Sequence, residues 1–162
     1  MDEKETMVPR EELIRRVRAA VEDRAAWFAL LYEEFCTVLP EEKVIELCRK
    51  AIRKYGAEKA ATDPRPFEPK NWVIRHRDKG SAEIFNSDIE YDEERAVQKM
   101  KYCPLVEAWK KMGYGPDKQD LFCDIAMDGD RARADGHPGI VMELHETIGK
   151  GCDFCRLVIR RD

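Results

Sequence analysis

No apolar run in this 162-residue sequence is long enough to cross a bilayer. Basic residues are not in excess either. The balance of 29 Lys and Arg against 33 Asp and Glu leaves a net charge of −4, so charge gives no case for nucleic acid or an anionic membrane as main partner. The opening segment MDEKETMVPREE lacks the basic and apolar regions of a secretory signal. The expected compartment is therefore the cytoplasm, where the 6 cysteines stay reduced. That excludes a disulfide framework and leaves core residues, metal ligands or reactive thiols. GxSxG, Walker, dinucleotide and HExxH motifs are all missing. The segment DGDRARADG lacks the third acid of a calcium loop, where Ala132 stands, and the closing glutamate. There is no internal repeat or low-complexity tract.

What is present is 43% apolar and 38% charged residues, the make-up of a globular chain with a heavily charged surface. The length suits a single domain spanning 1–162, with a helical N-terminal portion (1–61) and an α+β core (72–162). Leu13, Val17, Val21, Phe28, Leu31 and Phe35 recur at helical spacing and predict one long helix from about Arg10 to Phe35. Pro40 opens a second helix carrying Val44, Cys48, Ala51, Ile52 and Tyr55, with Gly56 as its expected stop. TDPRPFEPKN is a connector. NWVIRHR and SAEIFNSDIEY read as short strands, the latter pairing with RAVQKMKYC across a turn at Tyr91-Asp92-Glu93. Pro104 opens a helix that Gly113 ends, and another helix starts near Asp117. DGDRARADGHPG reads as a loop, and IVMELHETI with CDFCRLVIR as a final hairpin about Gly149-Lys150. The expected fold is α+β: an N-terminal helical pair, then an antiparallel sheet built from hairpins with helices packed on one face.

Among the cysteines, Cys36 and Cys48 read as core thiols. Cys103 directly precedes Pro104 and so falls at a helix N-cap, where backbone N–H groups and the dipole favour thiolate. The competing reading is a buried residue ending a strand. Cys123 lies mid-helix beside Asp124, an acid that is either solvent-facing or held in a polar pocket. For Cys152 and Cys155 the deciding consideration is strand parity, because residues three apart point to opposite faces. A two-residue turn at Gly149-Lys150 sets His145 opposite Phe154 and Thr147 opposite Cys152. One face then carries Glu143, His145, Thr147, Cys152, Phe154 and Arg156. The other carries Met142, Leu144, Ile148, Cys155, Leu157 and Ile159, which is a core face. Parity thus separates the CxxC pair and weakens a four-cysteine zinc site, which also needs a tight turn between its ligands. A looser zinc or iron site on Cys103, Cys123 and Cys152 stays open, and the sequence itself requires no cofactor. His76, flanked by arginines, reads as a solvated strand residue. His137 sits in a loop as a surface residue or mobile acid/base, and His145 is the better candidate base.

KYCPLVEAWKKMGY, LFCDIAMD and HETIGKGCDFC together resemble the L-2-amino-thiazoline-4-carboxylic acid hydrolase family. Cys103-Pro104, Cys123-Asp124 and Gly149 through Cys152 to Phe154 match that family's pattern, and AIRKYGAEKA looks like its N-terminal portion. Cys155 stands outside the pattern. The resemblance implies hydrolytic opening of a cyclic amidine, with C–N cleavage converting a thiazoline carboxylate to an N-carbamoyl cysteine. The partner is then a small carboxylated heterocycle, and a homo-oligomer is compatible with the long charged first helix.

On this reading Cys103 is the nucleophile, or part of a thiol cluster with Cys123 and Cys152. Asp124 or His145 moves protons, and Arg156, Thr147 and His137 contact substrate. The alternative is a non-catalytic domain that binds a metal or small molecule through the same cysteines.

Overall fold

Pro9 and Pro40 fix where the first helices begin. Helix α1 (Arg10–Val38) follows Pro9 with Glu11 and Glu12 in its first turn, and α2 (Glu41–Ala61) follows Pro40 with Glu41 and Glu42 in its own. The computed structural model describes residues 7–162, so the opening MDEKET of the segment read for a signal lies outside the described residues. Helix α2 does not stop at Gly56. That residue is buried within the helix, and a Cβ built on it would lie 1.9 Å from the carbonyl oxygen of Gly129. Glycine here permits close approach of two backbones, a tertiary requirement that overrides its local tendency to end a helix.

The stretch read as the strand NWVIRHR is helix α3 (Pro69–Asp78). Pro69 occupies its first turn, and the backbone N–H of Glu68 donates to Asn71 Oδ1 at 2.7 Å in a reciprocal capping arrangement. This start signal, with Trp72 and Val73 buried, outweighs the apparent strand character. A single turn, α4 (Ser81–Ile84), precedes β1 (Ser87–Tyr91), so only the second part of SAEIFNSDIEY is extended. Strand β2 (Arg95–Met100) pairs with β1 across the anticipated turn, where Asp92 Oδ1 accepts from the N–H groups of Glu94 and Arg95.

Helix α5 (Pro104–Lys111) and helix α6 (Pro116–Asp135) come next. The expected loop DGDRARAD is the last part of α6, held helical because Asp128, Arg131 and Arg133 have partners on neighbouring segments or along the helix itself. Strand β3 (Ile140–Leu144), a 3₁₀ turn (Ile148–Lys150) and β4 (Cys155–Arg161) complete an antiparallel sheet in the order β1-β2-β4-β3.

One face of the sheet presents Ala96, Leu157 and Ile159 to Phe67, Trp72, Val73 and Ala134. A second cluster fills the space between α1, α2, α5 and α6, where Phe122 receives the ring edges of Phe28, Tyr32, Trp109 and Tyr114 at 5.0–5.3 Å. The fold is α+β with N-terminal helices, as expected. Among the described residues no helix is long and apolar enough to cross a membrane.

Candidate functional site

The final hairpin determines where most of the sequence-predicted residues go. Strand β3 pairs with β4 so that Leu144 faces Leu157 and Glu143 faces Val158. This register is shifted by two residues from a two-residue turn at Gly149-Lys150. An even shift preserves parity, so Met142, Leu144, Cys155, Leu157 and Ile159 still share the inner face. Beyond β3 the N–H of His145 donates to Arg156 O, whereas the N–H of Arg156 donates to Glu146 O. Two residues therefore oppose one, a bulge that reverses parity from Thr147 onward. Thr147 consequently turns inward: it is buried, and its Oγ1 accepts from the backbone N–H of Lys150 at 3.2 Å. This corrects its placement on the polar face.

The thiols are partitioned differently from expectation. Cys103 is the N-cap of α5, and the N–H groups of Val106 and Leu105 face its sulfur, as predicted. Burial nevertheless dominates and pushes its pKa up to about 11, because the low-dielectric surroundings penalise the thiolate more than two N–H dipoles help it. Burial likewise raises Cys123 to about 12, with the nearby Cys103 and Cys155 adding to the effect. Cys155 is buried in the same cluster and accepts from the N–H of Ile148 at 3.2 Å. The cysteine that joins Cys103 and Cys123 beneath the turn is thus Cys155, while Cys152 is exposed. Gly149 seals this arrangement, since a Cβ on it would lie 2.5 Å from Cys123 Cβ and 2.9 Å from its Sγ. Among the described residues no group of three or more His, Cys, Asp or Glu side chains is placed to hold a metal ion, so Cys103, Cys123 and Cys152 do not form a zinc or iron ligand set.

Asp124 is engaged elsewhere. Its two oxygens accept from Arg49 and Arg131, both at 2.6 Å, while Asp128 accepts from the same two guanidiniums at 2.9 and 2.7 Å. Burial raises the Asp124 pKa, but the two arginines outweigh it and leave the group below the usual aspartate value. The four residues clasp α2 to α6.

His137 is buried, not on a mobile surface loop. Its Nε2 lies 3.0 Å from Asp63 Oδ2, and its ring stacks on Phe67 at 3.9 Å. Asp63 also accepts from Arg133 Nε and Nη2, each at 2.7 Å, and from Arg75. His76 likewise is no solvated strand residue: it belongs to α3, and its Nδ1 lies 2.8 Å from Gln98 Oε1. Burial pushes its pKa down, with Asp130 opposing. Asp63, Arg133 and Gln98 were missed by sequence reasoning. Gln98 was the most accessible of these, since it alternates with Ala96 on β2 and therefore points inward.

The open face of the sheet carries the remaining candidates. Arg156 is directly paired with Lys99 across β4 and β2, and Lys99 Nζ lies 4.0 Å from the centre of the Phe154 ring. Among the described residues neither cation has a carboxylate partner. His145 is exposed beside them, with Nε2 at 3.3 Å from Glu143 Oε2, and Glu143 is held mainly by Arg160 at 2.8 Å. Glu146, in the bulge opposite Arg156, has a buried Oε2 without a hydrogen-bond partner. His145, Arg156, Lys99 and Phe154 thus lie at one end of the sheet, with Glu146 in the adjoining bulge and Cys152 exposed after the 3₁₀ turn. Two surface grooves, one beside α1 and one between α2 and α6, contain none of these residues.

No curated protein matches the chain. The family model described as L-2-amino-thiazoline-4-carboxylic acid hydrolase matches residues 18–159, nearly the whole sequence. The chain therefore belongs to the L-2-amino-thiazoline-4-carboxylic acid hydrolase family.

Proposed function

We propose that this protein hydrolytically opens the ring of a small carboxylated cyclic amidine such as a 2-aminothiazoline carboxylate, and that it does so at the hairpin end of the sheet's open face. The observation that carries this placement is the Lys99–Arg156 pair beside Phe154, two cations without a carboxylate partner among the described residues. Such a pair suits a substrate carboxylate, and the ring face suits a flat heterocycle.

In this reading Cys152 is the nucleophile, because it is the exposed thiol of the matched segment, and His145 moves the protons. The thiol adds to C2 of the ring, its proton passes through His145 to the ring nitrogen, and a tetrahedral carbon forms. Collapse expels the ring sulfur, which leaves as a thiol. Water then displaces Cys152 from the resulting isothiourea, giving a urea carbonyl and regenerating the free cysteine. The ring nitrogen stays attached to C2 throughout, so the product is an N-carbamoyl cysteine. C–N cleavage would instead give an S-carbamoyl product, so the bond that must break is C2–S and not the expected C–N bond. Both neutral, buried Cys103 and half-buried Cys123 act as positioning residues that fix the turn from beneath.

The test compares 2-aminothiazoline-4-carboxylate with the same ring lacking the carboxylate. Losing a charged hydrogen bond costs about 1.5–3 kcal/mol. Arg156→Ala and Lys99→Ala are therefore each expected to raise KM for the carboxylated ring by about tenfold or more. They should leave turnover of the decarboxylated ring nearly unchanged. Equal effects on both substrates would remove the carboxylate clamp from the account.

A further inference from the structure

We propose that α1 is a dimerisation helix, pairing antiparallel with α1 of a second copy of this chain. The inner side of the helix is occupied along its length. Arg18 donates to the Ile84 carbonyl, Trp109 Nε1 donates to the Ala25 carbonyl at 3.0 Å, and Tyr32 donates to Glu41. Ala25, Ala29 and Tyr32 are accordingly buried.

The outer side is built to a different repeat. Leu13, Val17, Ala20, Arg24, Trp27, Leu31, Glu34 and Val38 succeed one another at alternating spacings of four and three, the seam of a two-helix coiled coil. Every one of them is exposed, Trp27 to 69% and Val38 to 75%. Leu30 and Phe35 flank the seam and are exposed too. A solvated helix face has no need of five large apolar residues, Leu13, Val17, Trp27, Leu31 and Val38, on one seam of a helix about 43 Å long.

Charge selects the occupant and its direction. Near the start of the helix the outer side carries Arg15 and Arg16 beside Glu12, whereas Arg10 and Arg18 are taken up by Glu83 and the Ile84 carbonyl. Between positions 22 and 34 the helix carries Glu22, Asp23, Glu33 and Glu34 against Arg24. Arg24 and Glu34 sit on the seam itself with Arg16 beside it, so only opposite directions keep each of them from meeting its own copy. Parallel pairing sets like charges side by side, which is repulsive. A twofold axis near Ala25 and Ala26 sets Leu13 against the partner's Val38, Ala20 against the partner's Leu31, and Arg24 over the partner's Trp27. Arg16 then lies by the partner's Glu34, and the interface is isologous, so each contact occurs twice.

Sedimentation of the full chain over a micromolar concentration series tests this, with circular dichroism as the folding control. The wild type is expected to sediment as a dimer. Trp27→Glu, which removes a central aromatic, is expected to weaken association at least about 30-fold. Arg16→Glu and Glu34→Arg are each expected to weaken it about tenfold, because the symmetry doubles every lost pair. Combining the two swaps restores opposite charges and is expected to return association to within a few-fold of wild type. A wild type that stays monomeric, or folded charge swaps that do not rescue each other, overturns the antiparallel dimer.

Discussion

Gly149→Ala tests the packing that joins the last turn to α6. The built Cβ lies 2.5 Å from Cys123 Cβ, 2.9 Å from Cys123 Sγ and 3.4 Å from the Gln119 carbonyl oxygen. Ordinary carbon–carbon contact is about 3.5–4.0 Å, so the turn must retreat by about 1 Å. A rotamer change of Cys123 does not help, because its Cβ is fixed by the helix backbone. Overpacking of this kind costs about 1–3 kcal/mol, and a neighbour that cannot give way puts the change near the top of that range. Cys123→Gly removes both close contacts, at an intrinsic helix cost of about 1 kcal/mol. In the double variant the two changes should therefore offset each other by about 1–3 kcal/mol relative to their sum. Urea unfolding monitored by tryptophan fluorescence measures all four proteins, since Trp72 and Trp109 are buried. A Gly149→Ala protein within about 0.5 kcal/mol of its parent, or strict additivity in the cycle, would refute the packing described.

Gly56→Ala should be more damaging still, by upwards of about 3 kcal/mol in the same unfolding experiment despite better helix propensity, because its Cβ meets Gly129 backbone at 1.9 Å. An unchanged midpoint would mean that α2 and α6 are not in backbone contact there. Burial pushes the Asp63 pKa up, yet Arg133, His137 and Arg75 together bring it down to about 2. A depressed carboxylate contributes stability above its unfolded value, near pH 4, and loses it as pH falls toward the folded value. Wild type should therefore lose about 2 kcal/mol in acid that Asp63→Asn, already destabilised at neutral pH, does not lose further. Parallel pH profiles would contradict this. At pH 8, alkylation mapped by mass spectrometry should modify exposed Cys152 while Cys103 and Cys123, held neutral, stay protected. Equal labelling of Cys103 and Cys152 in the folded chain would reverse their assigned roles.

The helical pair, the β1–β2 hairpin and the inward position of Cys155 were legible in the sequence because each rests on local periodicity or parity. Legibility failed where a distant partner decides. Gly56 ends a helix by local rule, but Gly129, far along the chain, makes it an interior contact. The polar stretch Asp128–Asp135 reads as a loop until Arg49 and Asp63 are there to receive its charges. A thiol at a helix N-cap is activated by its local dipole, and only burial by the rest of the fold reverses that for Cys103. The bulge at His145 and Glu146 inverts parity at Thr147, and no composition signal announces it. Of the carboxylate clamp proposed above, Arg156 can be named from sequence, whereas Lys99 emerges only from its pairing across the sheet.

The most direct test of the central claim tracks the products formed from L-2-aminothiazoline-4-carboxylate. One thiol titratable with a disulfide reagent should appear per ring opened, without release of a primary amine, and Cys152→Ser should abolish its appearance while leaving the protein folded. An amine in place of the thiol, or full turnover by Cys152→Ser, would contradict ring opening at the C2–S bond by this residue.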